Sequence, residues 1–174
     1  MRQPQYLTPR RLGAVAAAVV TFALTFTAPA HAWTKGALQN LATGQCLRDY
    51  PDRLMNVGPC DGSKSTLWTE SNYSTGWTQF RNDASNWCLD NSINGLQTWP
   101  CHPDSDVTNR IFQSWRPSGM VAGVPYIQRW QSEYGSWQCL EDSTAHGLRV
   151  GTCLQHDYAG WKTRAWRFSY RDSG

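Results

Sequence analysis

Beyond residue 32 this chain of 174 residues has no long apolar run, no cluster of basic residues and no closely spaced pair of cysteines. Without a basic stripe there is nothing to neutralise a phosphate backbone, so nucleic acid is not an expected partner. Attraction to an acidic membrane surface fails for the same reason, and membrane insertion is not expected. The missing C-x-x-C spacing argues against structural zinc. Neither G-x-S-x-G nor H-E-x-x-H occurs, which removes two common hydrolase signatures. The run from His102 to Asp106, "HPDSD", holds groups that bind metals, but a solvated loop is the expectation. No metal and no cofactor is called for. No segment after residue 32 keeps apolar residues at helical spacing for three turns, so long helices are not expected either.

The N-terminal segment is different. Arg2, Arg10 and Arg11 precede an apolar run from Leu12 to Thr27, and "APAHA" ends it with Ala30 and Ala32 as small residues. That is the layout of a secretory signal peptide, and the run is shorter than the roughly 20 residues a bilayer requires. Residues 1–32 are therefore read as a cleaved signal and 33–174 as a single secreted domain. The arginine pair leaves the export route, general or twin-arginine, open. Removal takes three of the 16 basic residues, which leaves 13 against 13 acidic ones. All ten tryptophans stay in the mature part, more flat apolar surface than core packing alone requires.

Six cysteines in an exported chain point to disulfides. They stand at 46 and 60, 88 and 101, 139 and 153, at intervals of 14, 13 and 14 residues within each pair. The spacing predicts three local bridges, each stabilising by about 3 kcal/mol through loop closure. The surrounding text repeats. The first cysteine of each pair lies in "GQCLRD", "NWCLDN" and "WQCLED", the second in "VGPCDG", "TWPCHP" and "VGTCLQ". Each unit closes on a tryptophan, at 68, 115 and 166. Alternating runs such as "WRFSY" at 166–170 read as strands, and "DNSING", "RPSG" and "EDSTAHG" read as turns. Three units of about four short strands can close on one another and cover sheet edges that one unit would expose.

Three units of Cys-Leu, a second Cys and a closing Q-x-W resemble the ricin B-type lectins, over about 37–170. The resemblance implies an all-β chain, a β-trefoil of three pseudo-repeats with one local disulfide each. Only Gln113-Ser114-Trp115 keeps the closing motif whole; the other units have Thr66-Leu67-Trp68 and Arg164-Ala165-Trp166. It further implies a sugar site in each unit. A carboxylate two residues after the first Cys accepts sugar hydroxyls in charge-assisted hydrogen bonds. A ring two residues before the second Cys covers the sugar's C–H face, and an amide fixes its orientation. In the middle unit these positions hold Asp90 and Trp99, with His102 after the Cys and Asn109 and Gln113 as candidate amides. Phe112 stands where that amide is often found. The first unit has Arg48 and Gly58 and is expected to bind no sugar. The third has Glu141 and Asp142 but Gly151 in place of the ring, a weaker candidate that Trp137, Trp161 or Tyr158 would have to complete. Two plainer roles stay open: Trp99 as a cover over the 88–101 disulfide, and Asp90 as a turn carboxylate.

The functional expectation is a secreted, non-enzymatic, lectin-like protein that binds a carbohydrate weakly through its middle unit. The alternative is a degenerate trefoil acting as an adaptor or targeting subunit of a larger secreted, toxin-like assembly, with other secreted subunits as partners. A small glycosidase needs two carboxylates at a set separation; it is the third reading, disfavoured because a binding fold already uses the whole mature length. Intact-mass analysis of the protein from culture fluid should give a chain beginning at Trp33; a retained N-terminal segment would refute the signal assignment.

Overall fold

The computed structural model describes residues 34–50, 55–73, 76–121, 124–131, 135–153 and 160–170. The expected signal segment lies outside them. The chain is all-β, with twelve strands and only three short helical turns among the described residues. The first unit supplies β1 (Thr34–Asn40), β2 (Cys46–Asp49), β3 (Met55–Gly58) and β4 (Leu67–Asn72). The second supplies β5 (Thr78–Asn82), β6 (Cys88–Ser92), β7 (Gly95–Trp99) and β8 (Arg116–Val121). The third supplies β9 (Val124–Gln131), β10 (Ser136–Ser143), β11 (Gly147–Thr152) and β12 (Trp166–Tyr170). Single turns of 3-10 helix at Lys64–Thr66 and Arg110–Gln113 and the α-helical turn α1 (Trp161–Arg164) each come just before a unit's closing tryptophan. No described helix is long and apolar enough to cross a membrane.

The strands form two antiparallel sheets. One runs β3-β2-β1-β4-β5-β6-β7, with β12 also paired to β1; the other runs β11-β10-β9-β8. Single bridges tie Thr78 to Trp115 and Tyr126 to Ala165. β1 pairs with β12 from Gly36 opposite Tyr170 to Asn40 opposite Trp166, so the first and last strands of the fold are neighbours. Gly36 makes this approach possible, since a Cβ there would collide with the carbonyl oxygen of Ser169.

The three disulfides form as the spacing predicts, Cys46–Cys60, Cys88–Cys101 and Cys139–Cys153. Each spans a hairpin, β2-β3, β6-β7 or β10-β11. In each the first cysteine faces the residue two positions before the second: Gly58, Trp99 or Gly151. The ring position is thereby fixed at the mouth of a cross-linked loop.

The core takes three side chains from every unit: Leu38, Leu47 and Trp68; Phe80, Leu89 and Trp115; Ile127, Leu140 and Trp166. Each indole is fully buried, so its N–H needs a partner inside. Trp68 donates to the Leu47 carbonyl at 3.1 Å, Trp115 to Leu89 at 2.9 Å and Trp166 to Leu140 at 2.9 Å. Phe168, on the same face of β12 as Trp166, packs against this cluster, as the alternation of "WRFSY" requires. Trp115→Ala should destabilise by about 3–5 kcal/mol, the range for emptying an aromatic site. Urea unfolding of the two proteins measures this, and a change under about 1 kcal/mol would be incompatible with a fully buried ring.

Candidate functional site

Asp90 lies on β6 directly across from Gln97 on β7. The turn between them needs Gly95 at φ +85°, a conformation side chains resist. β7 then carries Trp99 to the end of the hairpin. A depression of about 360 Å³ opens there, and Asp90, Trp99, His102 and Asn109 all line it, together with Gln97 and Phe112. Four of the five middle-unit residues singled out in the sequence are thus brought to one place.

Each is held differently. Asp90 is almost wholly buried, and its Oδ1 accepts from the Ser92 N–H at 3.0 Å and from Gln97 Nε2 at 3.4 Å. The turn role weighed above is therefore present, but both bonds fall on one oxygen. His102 faces the depression with Nδ1 3.1 Å from Asp106 Oδ2, and Asn109 Nδ2 reaches the same carboxylate at 3.0 Å. Hydrogen bonds from Asn109, and then the charge of His102, hold Asp106 below the usual carboxylate range. Asp104 pairs with Arg110. The "HPDSD" carboxylates thus engage groups within their own loop, and no cluster of three metal-ligating residues occurs among the described residues.

Gln113 is the exception. It is fully buried and does not line the depression. Its Oε1 accepts from the His102 N–H and from Gln79 Nε2, both at 2.9 Å, and its Nε2 donates to the Pro100 carbonyl at 3.0 Å. Both ends of its amide are thus engaged with the loop that carries His102, and it stands apart from the depression that the other four candidates line. Tyr73 completes the brace by donating to the His102 carbonyl at 3.2 Å. Burial pushes its phenol up to about 12, so it keeps the proton it donates.

One contributor was not anticipated. Asn40 and Asn82 stand two residues after core positions Leu38 and Phe80. Their Nδ2 atoms donate to the carbonyls of Thr163 and Ser65, at 2.8 Å in both cases. Each acceptor lies three residues before a closing tryptophan. In the third unit the same place, two after Ile127, holds Arg129, and three before Trp115 stands Phe112. The buried guanidinium of Arg129 lies 5.7 Å from the centre of the Phe112 ring and donates to the Asn91 carbonyl. Burial lowers its pKa, and the nearby charge of Asp90 acts the other way. Arg129 therefore sits behind the depression as a countercharge to its carboxylate. The signal was an arginine where the other units have asparagine, obscured by four extra residues before "WQCL".

The outer units are filled by arginine. In the first, Arg48 lies over Gly58, where an added Cβ would be 2.8 Å from Arg48 Cδ, and its guanidinium covers Tyr50 at 5.5 Å. In the third, Glu141 is buried between Arg149 and Arg164, at 3.2 and 3.4 Å. Asp142 Oδ2 accepts from Thr43 Oγ1 at 2.5 Å. Both third-unit candidates are thus engaged within the fold. The residue across from Glu141 is Arg149, whereas the residue across from Asp90 is the neutral Gln97. Trp137 stacks with Trp77 at 5.8 Å and meets Trp130 edge-on at 5.3 Å. Trp161 lies under Lys162 Nζ, and Tyr158 is outside the described residues.

No model of a known protein family matches this chain, and no curated protein does. Solved structures do. One is the GlcNAcα1-4Gal-releasing endo-β-galactosidase from Clostridium perfringens, with TM-score 0.62 and 16% identity over 80% of this chain and 33% of that one. Another is the cytolethal distending toxin of Haemophilus ducreyi, with TM-score 0.58 and 16% identity over 78% of this chain and 83% of that one. A third is the cytolethal distending toxin of Actinobacillus actinomycetemcomitans, with TM-score 0.60 and 16% identity over 78% and 90%. This chain spans a third of the endo-β-galactosidase chain. At such identity the likeness is one of fold.

Proposed function

We propose that this protein is a secreted, non-enzymatic carbohydrate-binding protein, a divergent β-trefoil of the ricin B lectin kind that holds one sugar in its middle unit. The observation that carries the reading is the convergence of Asp90 and Trp99 on one depression, with His102 and Asn109 at its rim. In this reading Asp90 accepts sugar hydroxyls on the oxygen that the turn does not use. Trp99 covers the C–H face, while the Arg129 guanidinium supplies a countercharge to the carboxylate. Gln113, Gln79 and Tyr73 fix the loop rather than touch the ligand. The three disulfides suit an exported protein. The twelve strands among the described residues, in three sets of four, each with its bridged hairpin and buried indole, support the trefoil reading. A similar structure that is an endo-β-galactosidase puts the same fold in a carbohydrate-acting protein.

A second reading has its own support. Trp77, Trp130, Val107 and Ile111 border a separate depression of about 200 Å³, and Trp130, Val107 and Ile111 are exposed. Such patches often serve protein contacts, and two of the similar structures are toxins. In that reading the chain is an adaptor or targeting subunit of a secreted assembly. A glycan array on the mature protein, run beside a pull-down from culture fluid, separates the two.

For the sugar site the expected free energy is about −4 to −5 kcal/mol, roughly millimolar, because each hydrogen bond replaces one to water. Asp90→Asn should weaken binding about tenfold by removing the charge behind two hydrogen bonds. Trp99→Ala should abolish the sugar-dependent NMR shift changes of His102 and Asn109, which line the middle-unit depression, while lowering the thermal midpoint far less than Trp115→Ala does. Equal destabilisation by the two tryptophan changes would make Trp99 a packing residue. Those shift changes surviving in a folded Trp99→Ala protein would rule out Trp99 as the ring of this site.

A further inference from the structure

The seam between the first and second units encloses a larger cavity, of about 490 Å³, lined by Asp49, Tyr50, Ser65, Ala84, Ser85 and Trp87. It shares no residue with the middle-unit depression. Asp49 follows Arg48 on β2, so the two side chains leave opposite faces of the strand. Its Oδ1 accepts from Thr98 Oγ1 of β7 at 2.8 Å. The residue is only 2% exposed, and Oδ2 is buried without a hydrogen-bond partner among the described residues. An unpaired carboxylate oxygen in such a place is costly.

The third unit shows how the same position is satisfied elsewhere. Asp142 lies three residues after Cys139, as Asp49 lies three after Cys46, and its Oδ2 takes the hydroxyl of Thr43. Thr43 is three residues after Asn40. The residue three after Asn82 is Ser85, which lines the Asp49 cavity. Its Oγ accepts from the Trp87 N–H at 3.1 Å, and it makes no bond to Asp49 Oδ2. An acceptor, two aromatic residues and two hydroxyls therefore face one space of a size that suits a small ligand.

We propose that this seam cavity is a second carbohydrate site, which takes one neutral sugar residue. A sugar hydroxyl donates to Asp49 Oδ2, and Trp87 and Tyr50 cover the C–H face. Neutrality follows from the charges present. The Arg48 guanidinium over the Tyr50 ring opposes a cationic ligand, and Asp49 opposes an anionic one. A polyhydroxyl ligand satisfies the acceptor without adding charge. The site stands apart from the middle-unit reading, which can fail without it.

The test is saturation-transfer NMR with the methyl glycosides of galactose, glucose, mannose and N-acetylglucosamine. It uses the mature protein and its Trp99→Ala variant, which lacks the middle-unit ring. At least one glycoside should still receive saturation from the Trp99→Ala protein. Adding Ala84→Leu fills the cavity from an exposed position without touching the Asp49–Thr98 bond, and it should remove the signal. Adding Asp49→Asn instead should weaken binding about tenfold. Circular dichroism checks that each variant is folded; if Asp49→Asn is not, the Ala84→Leu result decides. No transfer from any of these glycosides to Trp99→Ala would overturn the seam site, as would transfer unchanged by Ala84→Leu. If Trp99→Ala alone changes nothing and Ala84→Leu alone abolishes binding, the middle-unit site fails and the seam site holds.

Discussion

The bond from a buried indole to the carbonyl of the leucine after a cysteine organises this fold. Trp68, Trp115 and Trp166 make it to Leu47, Leu89 and Leu140. It joins the end of each unit to its second strand. One dipeptide thus does three things: the leucine side chain fills the core, its carbonyl receives the indole, and the cysteine before it clamps the hairpin. An indole N–H without its acceptor would be a buried unpaired donor, so the geometry of tryptophan and Cys-Leu has to be kept together. Once they are set, the hairpin ends are placed to within the freedom of a cross-linked loop.

On that common frame, binding chemistry depends on what the outward positions hold. Arginine fills the site position of the first unit and neutralises the carboxylate of the third. In the middle unit the corresponding neighbour is the neutral Gln97, and Arg129 is a cation whose charge interacts with that of Asp90. A countercharge so placed does not line the depression that a ligand would use. The same exchange, arginine for asparagine, frees the chain near Phe112 from a side-chain clamp that the other two seams retain.

Much of this was legible in the sequence because it is local. Cysteine spacing predicted all three bridges, and the resemblance to ricin B-type lectins, applied at set distances from those cysteines, pointed to Asp90 and Trp99, which line the depression. Side-chain direction was harder. Gln113 reads in the sequence as a candidate sugar-contacting amide, yet it points inward, because the 3-10 turn at Arg110–Gln113 brings its amide to Pro100 and His102. Asp49 and Asp142 stand at one position in two units, and only the partner across the seam, Thr43 or Ser85, separates a satisfied carboxylate from an unsatisfied one. Arg129 lies in a different unit from the site it supports. Sequence patterns describe what a residue is next to along the chain; these three depend on what is next to it across the fold.

The pairing of β1 with β12 has a consequence for how the molecule is made. A chain is synthesised from its N-terminus, and β1 needs β12 along most of its length. The hairpins can form early and be bridged once they meet an oxidising compartment, since each bridge spans only 13 or 14 residues. The sheet cannot be completed until the last strand arrives, and closing so long a loop is the slow, entropically costly step. Until then the edge of β1 is open to other strands. In a chain of this design the pairing that completes the sheet is therefore settled by the segment made after all the others described. A chain lacking it would carry an unsatisfied strand edge however well its hairpins had formed.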